Sequence, residues 1–358
     1  MRLSCITGAA AGQRLETDMA RSAAYDIGGA HLKVAVAEDG RTIAVRQIPC
    51  ALWLGLDLLD DAFAEMSDLL SRVDIQAATM TGEMCELFPD RRAGVGAILN
   101  RLEQLRGSDI QIWMGMHGLG NLGAARRDPM SVASTNFLAT AALVACRIPD
   151  ALLIDMGSTT TDILAVRGGT VAACGLTDGE RLRTGELVYT GTTRTEVSSV
   201  APRAHLNGQP QRLAAGGFAN MADVRRVLGI LPDDVDQYPT LDGRGKTEAE
   251  SRGRLARCFG RDATDASKDV WRDAAGEIRA QQMAEIERAA KEVMSRTDLA
   301  RDAPLVAAGI GASEVRDLAS SLGRRAIAFG TLADAAPECE AWATRCAPAA
   351  AVALLAQR

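Results

Sequence analysis

Aromatic side chains make up only 4% of this chain of 358 residues, too few for the stacked platforms that hold single-stranded nucleic acid. Long basic blocks are also missing and the formal net charge is −6, so a polyanionic partner is not expected. Histidine occurs three times, as His31, His117 and His205, and none of the eight cysteines belongs to a C-x-x-C pair. A zinc or iron–sulfur cage therefore has little support, and the cysteines read as free thiols in a reducing, cytoplasmic setting. No run approaches the roughly 18 apolar residues of a membrane span, and "AAAVALLA" near the C-terminus is far too short. Residues 1–23 contain Arg, Asp and Glu without an apolar run. They are expected to form a poorly ordered extension rather than a signal peptide.

Hydrophobic residues, at 47%, and glycine, with 34 copies, are plentiful. The length suits two domains of common size, with enough chain to bury a large core. A repeat tells how the two are built. Residues Ala23 to Cys50 read as strand, loop and hairpin, with Glu38-Asp39-Gly40 as the turn between "KVAVA" and "TIAVRQI". Residues Ala151 to Cys174 repeat the pattern through "ALLID", "MGSTTTD", "ILAVR", Gly168-Gly169 and "TVAAC". The copies align without a gap at a constant offset of 129, which puts Asp26 on Asp155, Gly28 on Gly157, Lys33 on Asp162 and Gly40 on Gly169. So long a period is no solenoid. It predicts two similar α/β lobes around a central cleft, the actin/sugar-kinase/Hsp70-like (ribonuclease H-like) architecture. Lobe I is expected over 24–146 plus 335–358, and lobe II over 147–334.

Helical spacing is predicted in "DLLDDAFAEMSDLLSRV", "RAGVGAILNRLEQLRG" and "SVASTNFLATAALVACR", the last with Ser131 or Ser134 as its cap. Helices are also expected over Gly216 to Leu228, Glu248 to Phe259 and the segment holding Met283, Ile286, Ala290 and Val293, and in the closing "APAAAVALLAQ". Pro232 to Gly245, rich in Asp, Pro and Gly, is read as a solvated surface excursion, with a lid or a homodimer contact as alternatives.

The repeated element can carry chemistry. An acid at a strand end is followed by glycines whose backbone can turn its N–H groups toward an anion. Gly28, Gly29, Ala30 and His31 make up the first loop; Gly157 with Ser158, Thr159, Thr160 and Thr161 makes up the second and adds hydroxyls suited to phosphate oxygens. Lys33 is placed to meet an anion as a point charge. Asp26 and Asp155 are expected to face each other across the cleft, holding a hydrated Mg²⁺ or acting as general base. Simple turn capping is the bland alternative for both. Gly309, Gly311 and Ala312, in "GIGAS", form a third Gly loop, placed to serve as a nucleotide or substrate-tail platform.

The segments "YDIGGAHLK", "TGEMCELF", "STNFLATA", "LLIDMGSTTTDILAV", "GELVYTGTTRT", "GGFANMADVRRVLG", "LDGRGKT" and "LVAAGIGAS", spanning residues 24–330, resemble the hydantoinase/oxoprolinase-related proteins of tetrahydromethanopterin-linked one-carbon metabolism. The general oxoprolinase pattern has Thr and Asp where this chain has Ala30 and Lys33. That departure points away from ATP-dependent opening of a cyclic amide and toward the family's synthase branch. The resemblance implies a transferase of methanofuran biosynthesis, which joins an aminomethylfuran-methyl diphosphate to the phenol of a glutamyl-tyramine or tyrosine unit and releases diphosphate. It further implies that Asp26, Asp155 and Lys33 are catalytic, and that Thr190, Gly191 and Arg194 line the cleft. Arg194 would meet a substrate carboxylate, and Glu83 and Asn136 would make polar substrate contacts. An ATP-dependent kinase or amide hydrolase, and a nucleotide-gated scaffold without turnover, are the competing classes the same fold admits.

Overall fold

The computed structural model describes residues 3–4 and 20–358. Leu3–Ser4 forms a short strand beside Thr170–Val171, and the first long strand begins at Arg21, within the stretch expected to be extension. The rest of that stretch, 1–2 and 5–19, lies outside the described residues.

Two sheets carry the molecule, and each is built around one copy of the repeat. In the first, strand Arg21–Ile27 pairs antiparallel with His31–Glu38 and parallel with Ile75–Met80. In the second, Ala151–Met156 pairs antiparallel with Thr161–Arg167 and parallel with Leu305–Ala308. The registers superpose at the offset seen in the sequence: Asp26 stands opposite Lys33, and Asp155 opposite Asp162. The turns close alike, with Gly28 N–H donating to the His31 carbonyl and Gly157 N–H to that of Thr160, both at 2.9 Å. At the first hairpin's far end Asp39 and Gly40 take φ of 50° and 75°, the left-handed pair that a tight hairpin turn requires.

Between the sheets lie two small-residue helices, Asn136–Arg147 and Ala347–Leu355. They pack on each other; the first covers the second sheet and the last covers the first sheet. Alanine is abundant in both, so backbones approach closely and the core is continuous across the lobes. Helices Leu58–Ala64 and Arg91–Arg106 cover the outer face of the first sheet. Lys268–Thr297 and Ala312–Ser321 cover that of the second. A further apolar cluster joins Met221–Leu228 and Glu248–Cys258 to the start of the long helix. This is the two-lobed actin/sugar-kinase fold. Among the described residues no helix is long and apolar enough to cross a membrane.

Three expectations need correcting. The helix expected over Asp57–Val73 stops at Ala64 and continues as turns, with Arg72 at φ 59°. The helix expected from Ser131 begins at Asn136, after Thr135, and neither serine caps it. Ser134 instead takes φ 51° and donates its hydroxyl to Glu83. Gly216 to Ala219 stay outside the helix that starts at Met221, because Asn220 forms a capping box with Asp223.

Candidate active site

A cavity of about 350 Å³ opens between the hairpins. Gly28, Gly29, Ala30, His31 and Lys33 line one wall; Asp155, Gly157, Ser158, Thr159, Thr160 and Asp162 line the other. Among the described residues the amides of Gly29, Ala30, Ser158 and Thr159 have no backbone or side-chain acceptor. They remain free for an anion.

The acids of the two copies differ in state. Asp26 is fully buried; Lys33 Nζ donates to its Oδ2 at 2.9 Å and Asn136 Nδ2 to its Oδ1 at 3.4 Å. Burial disfavours the Lys33 ammonium, but Asp26 outweighs it and the pKa is raised. Asp155 has no such partner. Burial, then Asp162, push its carboxyl up to about 8 against the pull of Lys33. Asp162 is in turn gripped by the guanidinium of Arg181. Burial still raises its pKa against that attraction. Arg181 also stacks 3.5 Å over Phe137 and approaches Asp178 at 3.7 Å, and Arg91 holds Asp178 across the cleft at 3.0 Å.

Several of the predicted residues line the cavity, among them His31, Lys33, Asn136, Asp155 and Arg194. Burial, then Lys33 and Arg194, lower the His31 pKa to about 3, so its ring is a neutral hydrogen-bonding group. Its Nε2 is buried without a partner among the described residues, a donor or acceptor awaiting a ligand.

Others support the site from behind. Asp26 is roofed by Lys33 and Asn136 and does not line the cavity. Thr161 is fully buried, and its hydroxyl donates to the Thr190 carbonyl at 2.7 Å. Thr190 Oγ1 and the Gly191 carbonyl both accept from Gln282 Nε2. A Cβ on Gly191 would fall 2.5 Å from Ser158 and Thr159. The segment after it clasps the second loop, with Thr192 N–H donating to the Gly157 carbonyl and Arg194 N–H to that of Ser158. Glu83 is buried outside the cavity and accepts from Ser134 Oγ at 2.5 Å. In the third Gly loop the three residues singled out in the sequence have their amides taken, while Ile310 between them lines the cavity. Gly309, Gly311 and Ala312 N–H groups donate to Thr344, Met156 and Gly309 carbonyls. Gly309, at φ 81°, instead lets the chain pass Asp155, where a Cβ would meet Met156 O at 2.3 Å and Asp155 Oδ1 at 2.5 Å.

Of the two acids expected to hold Mg²⁺, only Asp155 lines the cavity. Both Asp26 oxygens are already engaged, and no group of three or more His, Cys, Asp or Glu able to hold a metal occurs among the described residues. What is left for a cation is the carboxyl of Asp155.

Trp53, Gln47, Arg181, Asp178 and Arg345 also line the cavity and carried no sequence signal of their own. Trp53 follows the first loop, fixed by Cys50 N–H to the Ala30 carbonyl and Leu52 N–H to that of Gly29. The stretch Pro232 to Gly245 crosses to lobe I. Tyr238 donates its hydroxyl to the Ala30 carbonyl, Gln237 meets Gln47 at 3.1 Å, and Asp234 meets Arg345 at 2.6 Å.

Residues 74–336 match the family model described as Hydantoinase/oxoprolinase. Over 254 residues the chain is 31% identical to the (4-{4-(2-(gamma-L-glutamylamino)ethyl)phenoxymethyl}furan-2-yl)methanamine synthase of Methanocaldococcus jannaschii, covering 71% of this chain and 76% of the relative. A second synthase of that name, from Methanococcus vannielii, is 32% identical over 118 residues, which are 33% of this chain and 53% of the relative. Among solved structures, nucleotide-free acetone carboxylase has a TM-score of 0.52 at 11% identity, covering 86% of this chain and 68% of that one.

Proposed function

The chain belongs to the hydantoinase/oxoprolinase family, and from that premise we propose that it is a biosynthetic transferase of the methanofuran pathway. It would couple an aminomethylfuran-methyl diphosphate to the phenol of a glutamyl-tyramine or tyrosine unit. The observation that carries this reading is the asymmetry of the two hairpins. One wall presents an ammonium, Lys33, already paired at its base. The other presents free loop amides beside an acid held near neutrality. An anion and a carboxyl of raised pKa, whose ionised form can take a proton, are thus accommodated side by side.

In the proposed reaction the phenol oxygen attacks the furfuryl methylene and the carbon–oxygen bond to diphosphate breaks, the leaving group keeping the electron pair. A furfuryl carbon tolerates positive charge, so charge building on diphosphate is what the site must stabilise. Lys33 and the amides of Ser158 and Thr159 are assigned that task. The phenolic proton, with a pKa near 10, passes to Asp155. Only the ionised form of that carboxyl, the majority above about pH 8, can accept it, and it does so far less uphill than an ordinary Asp would. Asp26 holds Lys33 in place. Mg²⁺ is proposed as a cofactor; Asp155 is the residue that would hold it, and it would supply positive charge for the leaving group. Holding both substrates in one cleft supplies the positioning advantage.

The test is direct. Purified protein is incubated with Mg²⁺, the furfuryl diphosphate and glutamyl-tyramine or tyrosine, without ATP, and coupled ether and diphosphate are measured. Equal amounts of both are expected. No ether, with ATP consumed when it is added, would replace this reading with an ATP-dependent kinase or amide hydrolase. Asp155→Asn is expected to lower kcat at least a hundredfold, and intact turnover would remove Asp155 from the proton-accepting role.

A further inference from the structure

The chain has only four Trp and three Tyr, yet Trp53, Tyr189 and Tyr238 all stand at this cleft. Trp53 and Tyr238 form a tilted pair with ring centroids 5.6 Å apart, and His31 meets Tyr238 edge-on at 5.1 Å. Arg194 lies beside both rings, its Cζ 5.6 Å from the Trp53 centroid and 5.9 Å from that of Tyr238. It has no ion-pair partner among the described residues, so its charge is oriented but unspent. The cluster is assembled from three separate segments. Trp53 is carried by the first loop, Arg194 is tied through its N–H to Ser158 of the second, and Tyr238 arrives on the crossing strap.

Resting on the function proposed above, we infer that Trp53 and Arg194 form a subsite for the ring end of an arylmethyl or furfuryl diphosphate, with Tyr238 as the positioning residue that sets them. The ring packs against the Trp53 face, which adds ring–ring attraction to the area it buries. Arg194 meets the phosphate nearest the ring. An inorganic anion uses the loops and Arg194 but not Trp53. The subsite therefore selects the ester over free diphosphate, and its ring-binding half does not retain the released diphosphate.

Calorimetric titration of the full chain with furfuryl diphosphate and with inorganic diphosphate, without phenolic acceptor, tests this. For Trp53→Leu the ester should bind about tenfold more weakly, the size of a lost ring–ring contact of up to about 1.5 kcal/mol, with inorganic diphosphate unchanged within about twofold. Trp53→Phe, which keeps a ring, should recover most of the loss. Arg194→Gln should weaken both ligands, and Tyr238→Phe the ester more than the inorganic ion. Equal losses for both ligands in Trp53→Leu, or no loss in either, would overturn the subsite while leaving the coupling reaction standing. If the wild-type chain binds inorganic diphosphate but not the ester, subsite and proposed reaction fall together.

Discussion

Across the first hairpin Asp26 faces Lys33; across the second the same two places hold Asp155 and Asp162. Directly opposed like charges destabilise a strand pair, so the second copy must relieve what the first never incurs. It does so by lending Arg181 to Asp162 and by keeping Asp155 protonated until about pH 8. The first copy spends its complementarity internally, in an ion pair whose acid is fully buried. Removing one member of such a pair strands the other. Lys33→Met should therefore cost about 3 kcal/mol in urea unfolding and abolish coupling. The double variant Asp26→Asn/Lys33→Met should regain most of that stability without regaining turnover. If the double variant also recovered turnover, the ammonium would have no part in the chemistry. The acids and the lysine were legible in the sequence because the repeat aligned them. Their states were not, because Arg181 and Asn136 come from outside the repeat.

At the scale of elements, the turn Gly82–Met84 lies beneath helix Arg91–Arg106, so closely that a Cβ on Gly94 would sit 2.6 Å from the Glu83 carbonyl. This packing buries the Glu83 side chain, with Ser134 as its hydrogen-bond donor and Oε2 unpartnered among the described residues. Burial raises its pKa from 4.5 to about 7. A carboxyl whose folded pKa is raised gives stability that is complete below its unfolded value and lost as pH rises through the folded one. Stability should thus fall between about pH 4.5 and 7 by up to about 1.4 kcal/mol per pH unit from this group. Glu83→Gln should flatten that part of the profile, read by urea midpoints at pH 5 and pH 8. Identical profiles for the two proteins would mean that Glu83 ionises freely. Glu83 shows what spacing alone conceals. Its motif marked it as a substrate contact, but the glycine that buries it is eleven residues away and looks like any other helical residue. The expected helix over Asp57–Val73 failed for a related reason: its apolar spacing is satisfied by turns packed on the same face.

For the whole molecule, the lobes are joined by a core of small helices and by polar contacts across the cleft, and these have different strengths. The helices Asn136–Arg147 and Ala347–Leu355 share buried apolar surface and fix the relation of the sheets. The strap Pro232 to Gly245 crosses on polar contacts to Ala30, Gln47 and Arg345 and on the ring contacts of Tyr238 with Trp53 and His31. Partly exposed pairs of that kind each add little to stability, about 1 kcal/mol or less. The strap is therefore the part of the cleft that can open without unfolding the protein, and it had read in the sequence as a loop because its partners are 111 to 208 residues away. Its tip, Leu241 to Gly245, is exposed, with Arg244 and Lys246 as ready sites for trypsin. Asp234→Asn/Gln237→Ala should leave thermal stability within about 1 kcal/mol of wild type while tryptic cutting after Arg244 and Lys246 speeds up severalfold. Furfuryl diphosphate should slow the same cuts in the wild-type chain, since the ligand would bind where Tyr238 holds the strap to the first loop. Cutting rates that respond neither to the double substitution nor to the ligand would show that the strap is fixed by the lobe it springs from, and that the cleft does not open through it.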